Sequence, residues 1–248
     1  MNTNSDYLSP PLQQPAFDSA AFKRAARQAL LGHTGTVSTA ELLCSLVRVL
    51  LTQITAGLIL RNPVGALLLA CLVQFILLTL TGLLEIGLNA VAMDLVFAED
   101  SVSLRSLFVP FRENTDTCIK VRAFFSILDV LFFLPANALV IWLPGSGFMD
   151  YYLPVFSALA GGYLLRYVVS FVYGIASYLV LDFQDLSALE VLRRTRALLR
   201  GRYGRLLRLY LSFVPQFILG ALSFGIGFLW IGGYFRTARA FFYKELLV

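Results

Sequence analysis

Charged side chains are scarce in this chain of 248 residues, of which they make up 14%. A soluble domain carries about 25% charged residues, so this chain has too few to cover a water-facing surface of its size. Hydrophobic residues account for 58%, and the mean hydropathy is +0.75. Because these residues occur in long runs, the composition predicts an all-α membrane protein and argues against a soluble domain.

Histidine and cysteine are also scarce, which argues against most catalytic and metal sites. His33 is the single histidine, and the three cysteines are far apart, so neither a zinc site nor a disulfide framework is indicated. The sequence contains no phosphate-binding glycine loop before a helix and no Gly-x-Ser-x-Gly nucleophile motif. We therefore predict that the protein has no cofactor and is not an enzyme.

Long apolar segments are what the sequence does contain. We predict six membrane spans, since most of these segments can cross a hydrocarbon core of about 30 Å at about 1.5 Å per residue. Only the sequence SFGIG separates the last two, so that region is either two spans or one broken hairpin. The predicted spans cover 40–60, 64–92, 122–143, 152–181, 206–223 and 226–245.

The first residues of the chain differ from the rest. Residues 1–16 are polar and rich in proline, and they lack the basic start and apolar core of a signal peptide. We predict a disordered cytosolic tail over 1–16 and a single polytopic helical membrane domain over 17–248.

Lysine and arginine residues lie almost entirely on one side of the predicted spans. The connections on the other side carry Arg61 and no further positive charge. By the positive-inside rule, this bias predicts a multi-pass protein of the bacterial cytoplasmic membrane with both termini in the cytoplasm. The residues that set this orientation are Lys23, Arg24, Arg27, Arg105, Arg112, Lys120, Arg122 and the arginines between 193 and 208.

Two of the basic segments have the pattern of amphipathic helices, and a third is a weaker copy. In the last of them, Ser187 and Glu190 form a capping-box pattern and Gly201 supplies a C-terminal stop. A similar segment near the N-terminus ends at Gly32, and the weaker copy begins at Ser103. We predict two or three interfacial helices on the cytoplasmic side, in three units of an interfacial helix followed by a transmembrane hairpin.

The C-terminal third resembles a known family. The sequence "YLVLDFQDLSALEVLRRTRALLRGRYGRLLRLYLSFV", followed by "LSFGIGFLWIGGYFRTARAFFYKEL", is similar to the bacterial membrane family called domain of unknown function 975, and "FKRAARQALLG" is similar to its N-terminal element. The resemblance implies an integral membrane protein and supplies no activity or catalytic residue. It rests on Asp182, 186–190, Gly201, 211–213, 225–230, Tyr234 and 242–246.

Two arginines are predicted to lie near the middle of spans, Arg166 in the fourth and Arg236 in the sixth. A central arginine costs about 2.5–3.5 kcal/mol on insertion scales, so each needs a partner or water. One interpretation is a pair of cations in a cavity that receives an anionic head group or substrate. The other is that helix carbonyls and a nearby acid neutralise each of them.

Three acidic or amide side chains in the spans are further candidates. Glu85 and Asn89 lie one helical turn apart toward the cytoplasmic end of the second span, and Arg48 of the first span is at a similar depth. We predict an ion pair of Arg48 and Glu85, with a proton-carrying carboxylate as the alternative. Asp129 is equally ambiguous, since Lys120, Arg122 or a buried arginine could reach it.

The arginine cluster provides candidate contacts to anionic lipid head groups, and a topology signal without specific lipid binding is the alternative. Nucleic acid is not expected, because no groove-reading module accompanies the cluster. Expected partners are membrane lipids, anionic ones included, and a membrane-protein partner. The candidate head-group contacts are Arg193, Arg194, Arg196, Arg200, Arg202 and Arg205.

Three functions are compatible with these features. The first is a non-catalytic membrane module with a scaffold, regulatory or lipid-interacting role. The alternative is a carrier or exporter that binds an anionic or amphipathic small molecule at Arg166 and Arg236. A lipid-modifying enzyme that uses Glu85 or Asp129 is disfavoured by the missing histidine and metal motifs.

Overall fold

The computed structural model describes residues 19–61, 66–97, 102–143, 148–183 and 185–247, and it contains helices but no strands in these ranges. The predicted all-α class is thus confirmed, whereas the predicted tail over 1–16 lies outside the described residues. The helices are α1 (Ser19–Leu30), α2 (Thr34–Arg61), α3 (Ala66–Phe97), a 3-10 helix (Leu104–Phe111), α4 (Thr115–Trp142), α5 (Phe148–Val172), α6 (Ala176–Asp182), α7 (Ala188–Leu199), α8 (Tyr203–Leu222) and α9 (Phe228–Leu247).

Five of these helices are long and apolar enough to cross a membrane: parts of α2, α3, α4, α5 and α8. The sixth predicted span, 226–245, corresponds to α9, which is not among them. Charged residues from Arg236 to Glu245 interrupt its apolar sequence. Much of α9 is nevertheless buried by protein, including Arg239, Phe242 and Tyr243.

The fourth predicted span, 152–181, is two helices rather than one. α5 ends at Val172, and α6 begins at Ala176 after a turn. At this turn a Cβ on Gly174 would lie 2.7 Å from the Ser170 carbonyl oxygen and 2.9 Å from Arg239 Nη2. The helix therefore breaks where α9 approaches, and the interruption reflects a tertiary contact that apolar periodicity does not reveal.

The helices assemble around α9 and α3. α2 packs on α3, α3 on α4 and α4 on α5, while α9 contacts α1, α2, α3 and α8. One hydrophobic core joins the second half of α3 to α6, α7, α8 and α9, with Tyr178, Phe213, Phe242 and Tyr243 fully buried in it. α9 thus connects the two N-terminal helices with the C-terminal helices.

The predicted capping box of α7 is confirmed. Ser187 N donates to Glu190 Oε2 at 2.9 Å, and Glu190 N donates to Ser187 Oγ at 3.4 Å. The backbone N–H and the hydroxyl of Ser187 both donate to the Glu190 carboxylate and lower the pKa of Glu190. After the helix, Gly201 adopts a φ of +79°, which the predicted glycine stop requires. Val191, Thr195 and Leu199 are buried and the arginines of α7 are exposed.

Removal of this cap is expected to loosen α7. Ser187→Ala deletes the side-chain acceptor and should cost about 1 kcal/mol of local stability, whereas Ser187→Asp keeps an oxygen at that position. Hydrogen exchange of the amides in 188–199 measures the effect. The pKa of Glu190 in the folded protein lies below its ordinary value of 4.5. The stability that the ionised Glu190 adds to α7 is therefore present above pH 4.5 and is lost as the pH falls through the lowered pKa. Equal exchange in the two variants would contradict the assignment.

Candidate functional site

The buried guanidinium of Arg236 is held by two other helices. Its Nε donates to Glu41 Oε1 of α2 at 2.8 Å, and its Nη1 donates to Asn89 Oδ1 of α3 at 3.3 Å. The Glu41 side chain is 9% exposed and the Arg236 side chain is 19% exposed, so both charges of this pair are largely removed from solvent. Arg236 therefore bridges α9 to α2 and α3 at one level.

Two glycines of α9 permit this contact. A Cβ on Gly233 would lie 2.2 Å from Val37 Cγ1, and a Cβ on Gly232 would lie 2.8 Å from Glu41 Oε1. Any larger side chain at Gly233 would push α9 away from α2. The close approach of the two backbones is what brings Arg236 within reach of Glu41.

The Glu85 carboxylate forms ion pairs with two arginines. Arg48 Nη2 lies 2.6 Å from Glu85 Oε1, which confirms the predicted ion pair, and Arg122 Nη1 lies 3.5 Å from Glu85 Oε2. The stem of Arg122 lies over Gly82, where a Cβ would be 1.5 Å from Arg122 Nε. Each oxygen of the Glu85 carboxylate thus faces a guanidinium group, so the proton-carrier interpretation has little support.

Asp129 contacts Arg166, one of its three predicted kinds of partner. Arg166 Nη1 lies 3.7 Å from Asp129 Oδ2, which joins α5 to α4, and the Asp129 side chain is 8% exposed. Lys120 instead pairs with Asp116 on its own helix, and Arg122 pairs with Glu85. Arg166 and Arg236 thus each contact a different carboxylate, as the second interpretation of these arginines expected.

Two buried charged residues were missed by the sequence analysis. Glu41 is the single acid in the first predicted span, and an acid in an apolar span needs a partner, so the sequence did carry a signal for it. Arg239 is 9% exposed, and its guanidinium donates to the Gly174 carbonyl and lies over the rings of Tyr178 at 5.5 Å and Phe235 at 5.5 Å. Such ring contacts favour a desolvated cation.

The predicted head-group arginines divide into two groups. Arg202 Nη1 donates to the Leu246 carbonyl at 3.4 Å, and Arg205 Nη1 lies 3.2 Å from Glu245 Oε1, so both bind the end of α9. The other four lie on α7 or directly after it and are exposed; we call them the α7 arginine surface. They are Arg193, Arg194, Arg196 and Arg200.

The end of α9 is also fixed by further hydrogen bonds. Tyr243 Oη donates to Asp182 Oδ2 at 2.7 Å, and Tyr178 Oη donates to the Arg236 carbonyl at 2.9 Å. Lys244 Nζ donates to the Val96 carbonyl at 3.1 Å. Asp182 and Tyr243 both belong to the motifs of the family resemblance, and their hydrogen bond shows that these positions hold α6 and α9 together.

Apolar helices joined by buried ion pairs define a multi-pass helical membrane protein. The family model described as a protein of unknown function (DUF975) matches residues 17–248, so the chain belongs to that family and the resemblance is confirmed. No curated protein and no solved structure matches the chain.

Breaking the pair of Glu41 and Arg236 is expected to be strongly destabilising. Glu41→Gln leaves a buried guanidinium without its counter-charge, a change that costs about 3–5 kcal/mol in proteins. The midpoint of unfolding in detergent measures the loss.

Two variants test the cause of that loss. Glu41→Leu with Arg236→Leu removes both charges and should recover much of the stability. Lys120→Gln breaks an exposed pair one turn apart on α4 and should cost about 0.5 kcal/mol or less. If Glu41→Gln costs no more than Lys120→Gln, the contact with Arg236 is not a buried ion pair.

Proposed function

We propose that this protein is a non-catalytic module of the bacterial cytoplasmic membrane, with both termini in the cytoplasm, and that the α7 arginine surface contacts anionic lipid head groups. The observation that carries the proposal is a contrast between two sets of arginines. Arg48, Arg166 and Arg236 have carboxylate partners on neighbouring helices, whereas the arginines of α7 are exposed, with Arg194 6.0 Å from the Phe183 ring and Arg196 5.2 Å from the Tyr173 ring.

The shape of α7 supports a position along the membrane surface. Val191 and Leu199 are buried against the bundle, while Arg193, Arg196 and Arg200 fall on one exposed stripe, since they are three and four residues apart. Each basic residue near an anionic surface contributes about 1 kcal/mol of attraction. A fixed row of such residues therefore favours a membrane rich in anionic lipid.

The N- and C-terminal helices support the proposed orientation. Phe22 of α1 packs against Phe242 near the end of α9 with ring centroids 6.0 Å apart, so both helices lie at one end of the bundle. Exposed Arg24 and Arg27 of α1 add positive charge at that end. By the positive-inside rule, this end faces the cytoplasm.

The carrier alternative has less support. It needs Arg166 and Arg236 to bind an anionic substrate, but the contacts of both with acidic side chains already balance their charge. A scaffold role with a membrane-protein partner is compatible with the same bundle, and the absence of enzymatic activity remains a prediction from the sequence.

Lipid preference tests the proposal with two variants that lose equal charge. Arg193→Gln with Arg200→Gln removes two residues of the α7 arginine surface, and Arg105→Gln with Arg112→Gln removes two exposed arginines near the 3-10 helix. At about 1 kcal/mol per residue, the first variant should lose roughly 30-fold of the preference for phosphatidylglycerol over phosphatidylcholine.

Native mass spectrometry of the detergent-solubilised protein, titrated with each lipid, measures this preference. The second variant should retain most of it, because its charges lie on another element. Equal losses in the two variants would indicate attraction by net charge alone. No loss in either would mean that the arginines act only as a topology signal.

A further inference from the structure

The turn between α8 and α9 is apolar and exposed. The chain has no charged residue from Leu209 in α8 to Phe235 in α9. Phe224, at the tip of the turn, is 100% exposed. Leu222 and Ile226 beside it are 72% and 60% exposed. Water would be an unfavourable surrounding for this tip.

The backbone of this turn satisfies its own hydrogen bonds. Every backbone N–H from Ser223 to Ile231 donates within the hairpin, and the N–H of Gly227 does so to Ser223 Oγ at 2.8 Å. Ser223 Oγ in turn donates to the Gly220 carbonyl at 2.7 Å. Irregular backbone inside a bilayer requires such internal partners, because lipid tails offer none.

The tip does not reach as far as the ends of the neighbouring helices. Arg236 contacts Asn89, and from these levels α9 extends back to Phe228 over about 12 Å, whereas α3 extends back to Ala66 over about 34 Å. The contact of Lys244 with Val96 gives a similar difference. From this level α9 extends back to Phe228 over about 24 Å, and α3 extends back to Ala66 over about 45 Å. The start of α9 is therefore about 20 Å short of the start of α3.

A separate contact on α8 gives a similar result. The rings of Phe171 and Tyr210 are 5.4 Å apart. The Phe171 ring also lies 6.2 Å from the ring of Tyr203. From Tyr210 and from Tyr203, α8 extends to Leu222 over about 18 Å and about 28 Å, whereas α5 extends back from Phe171 to Phe148 over about 34 Å. Both arms of the hairpin thus end before the far ends of the long helices.

The exposed apolar surface shows which part of the bundle lies in lipid. Leu68, Leu72 and Ile76 are exposed in the first half of α3, so this half needs a hydrocarbon surrounding. A hydrocarbon core of about 30 Å that begins near Leu67 ends about 20 residues later, close to Glu85 and Asn89. The tip of the hairpin therefore lies within the hydrocarbon core, between the edge near Asn89 and the opposite edge near Leu67, which it does not reach.

We propose that α8 and α9 form a re-entrant hairpin, which enters the membrane from the arginine-rich side and ends among the acyl chains of that leaflet. The membrane is then crossed by α2, α3, α4 and α5. This topology places both termini on one side, as the contact of Phe22 with Phe242 requires. The occupant of the exposed surface around Phe224 is phospholipid acyl chain. The proposal uses the orientation given above to name the leaflet as the cytoplasmic one.

Side-specific labelling tests the topology. Single cysteines are introduced by Phe224→Cys or by Ser146→Cys in a full-length background in which Cys44, Cys71 and Cys118 are alanine, with a monodisperse detergent elution profile as the folding control. A membrane-impermeant maleimide is applied to right-side-out and to inverted vesicles. Ser146→Cys should react only from the outside. Phe224→Cys should react from neither side and should react fully after detergent is added.

The outcomes distinguish the hairpin from the orientation. Reaction of Phe224→Cys from the same side as Ser146→Cys would show a crossing hairpin, and reaction from the opposite side in intact vesicles would place the tip in water; either result overturns the proposal. If Ser146→Cys instead reacts only in inverted vesicles, the orientation is wrong, and the re-entrant hairpin is still judged by Phe224→Cys.

A second measurement does not depend on cysteine. The chain contains two tryptophans, so Trp142→Phe leaves Trp230, which is 52% exposed next to the tip, as the single emitter. Lipids brominated along the acyl chain should quench its fluorescence several-fold more than an aqueous quencher does. Stronger quenching by the aqueous agent would overturn the proposal.

Discussion

The arrangement of this bundle depends on the neutralisation of Arg236. A guanidinium that is largely removed from solvent needs a counter-charge, and the acceptors of Arg236 come from α2 and α3. Glu41 and Asn89 therefore fix both the depth and the rotation of α9. The small residues of α9 serve the same contact, because Val37 occupies the space where a Cβ of Gly233 would lie. A shift of α9 by one turn would separate the charges and leave each of them buried alone.

The other ion pairs extend this constraint across the bundle. Glu85 joins α3 to α2 and α4 through two arginines, and Asp129 joins α4 to α5. An ion pair that is removed from water contributes little net stability compared with apolar packing, but the loss of one partner is costly. Their role here is to select one register among many that uniformly apolar helices would permit. The need of Asp129 for a positively charged partner likewise fixes the position of Arg166 on α5.

Much of the fold could be predicted from the sequence, because its signals are local. Apolar runs located the long helices, and the spacing of Ser187 and Glu190 predicted the cap of α7. The pair of Arg48 and Glu85 followed from similar depths on adjacent helices.

The remaining features depend on which helices meet. The break before α6 forms where Arg239 contacts Gly174, and no periodicity within 152–181 encodes that approach. The same holds for the partner of Arg236, since Glu41 is almost 200 residues earlier in the chain.

The two proposed lipid contacts act on the same leaflet through different forces. The α7 arginine surface attracts head groups by charge, and this attraction is weakened by salt. The tip around Phe224 contacts acyl chains through the hydrophobic effect, which salt does not screen. Tyr203, at the start of α8, packs against Phe171 of α5, and Arg205 Nη1 lies 3.2 Å from Glu245 Oε1 of α9, so the start of α8 is held to both helices close to the end of α7. A membrane that offers anionic head groups and accessible acyl chains therefore satisfies both contacts at once.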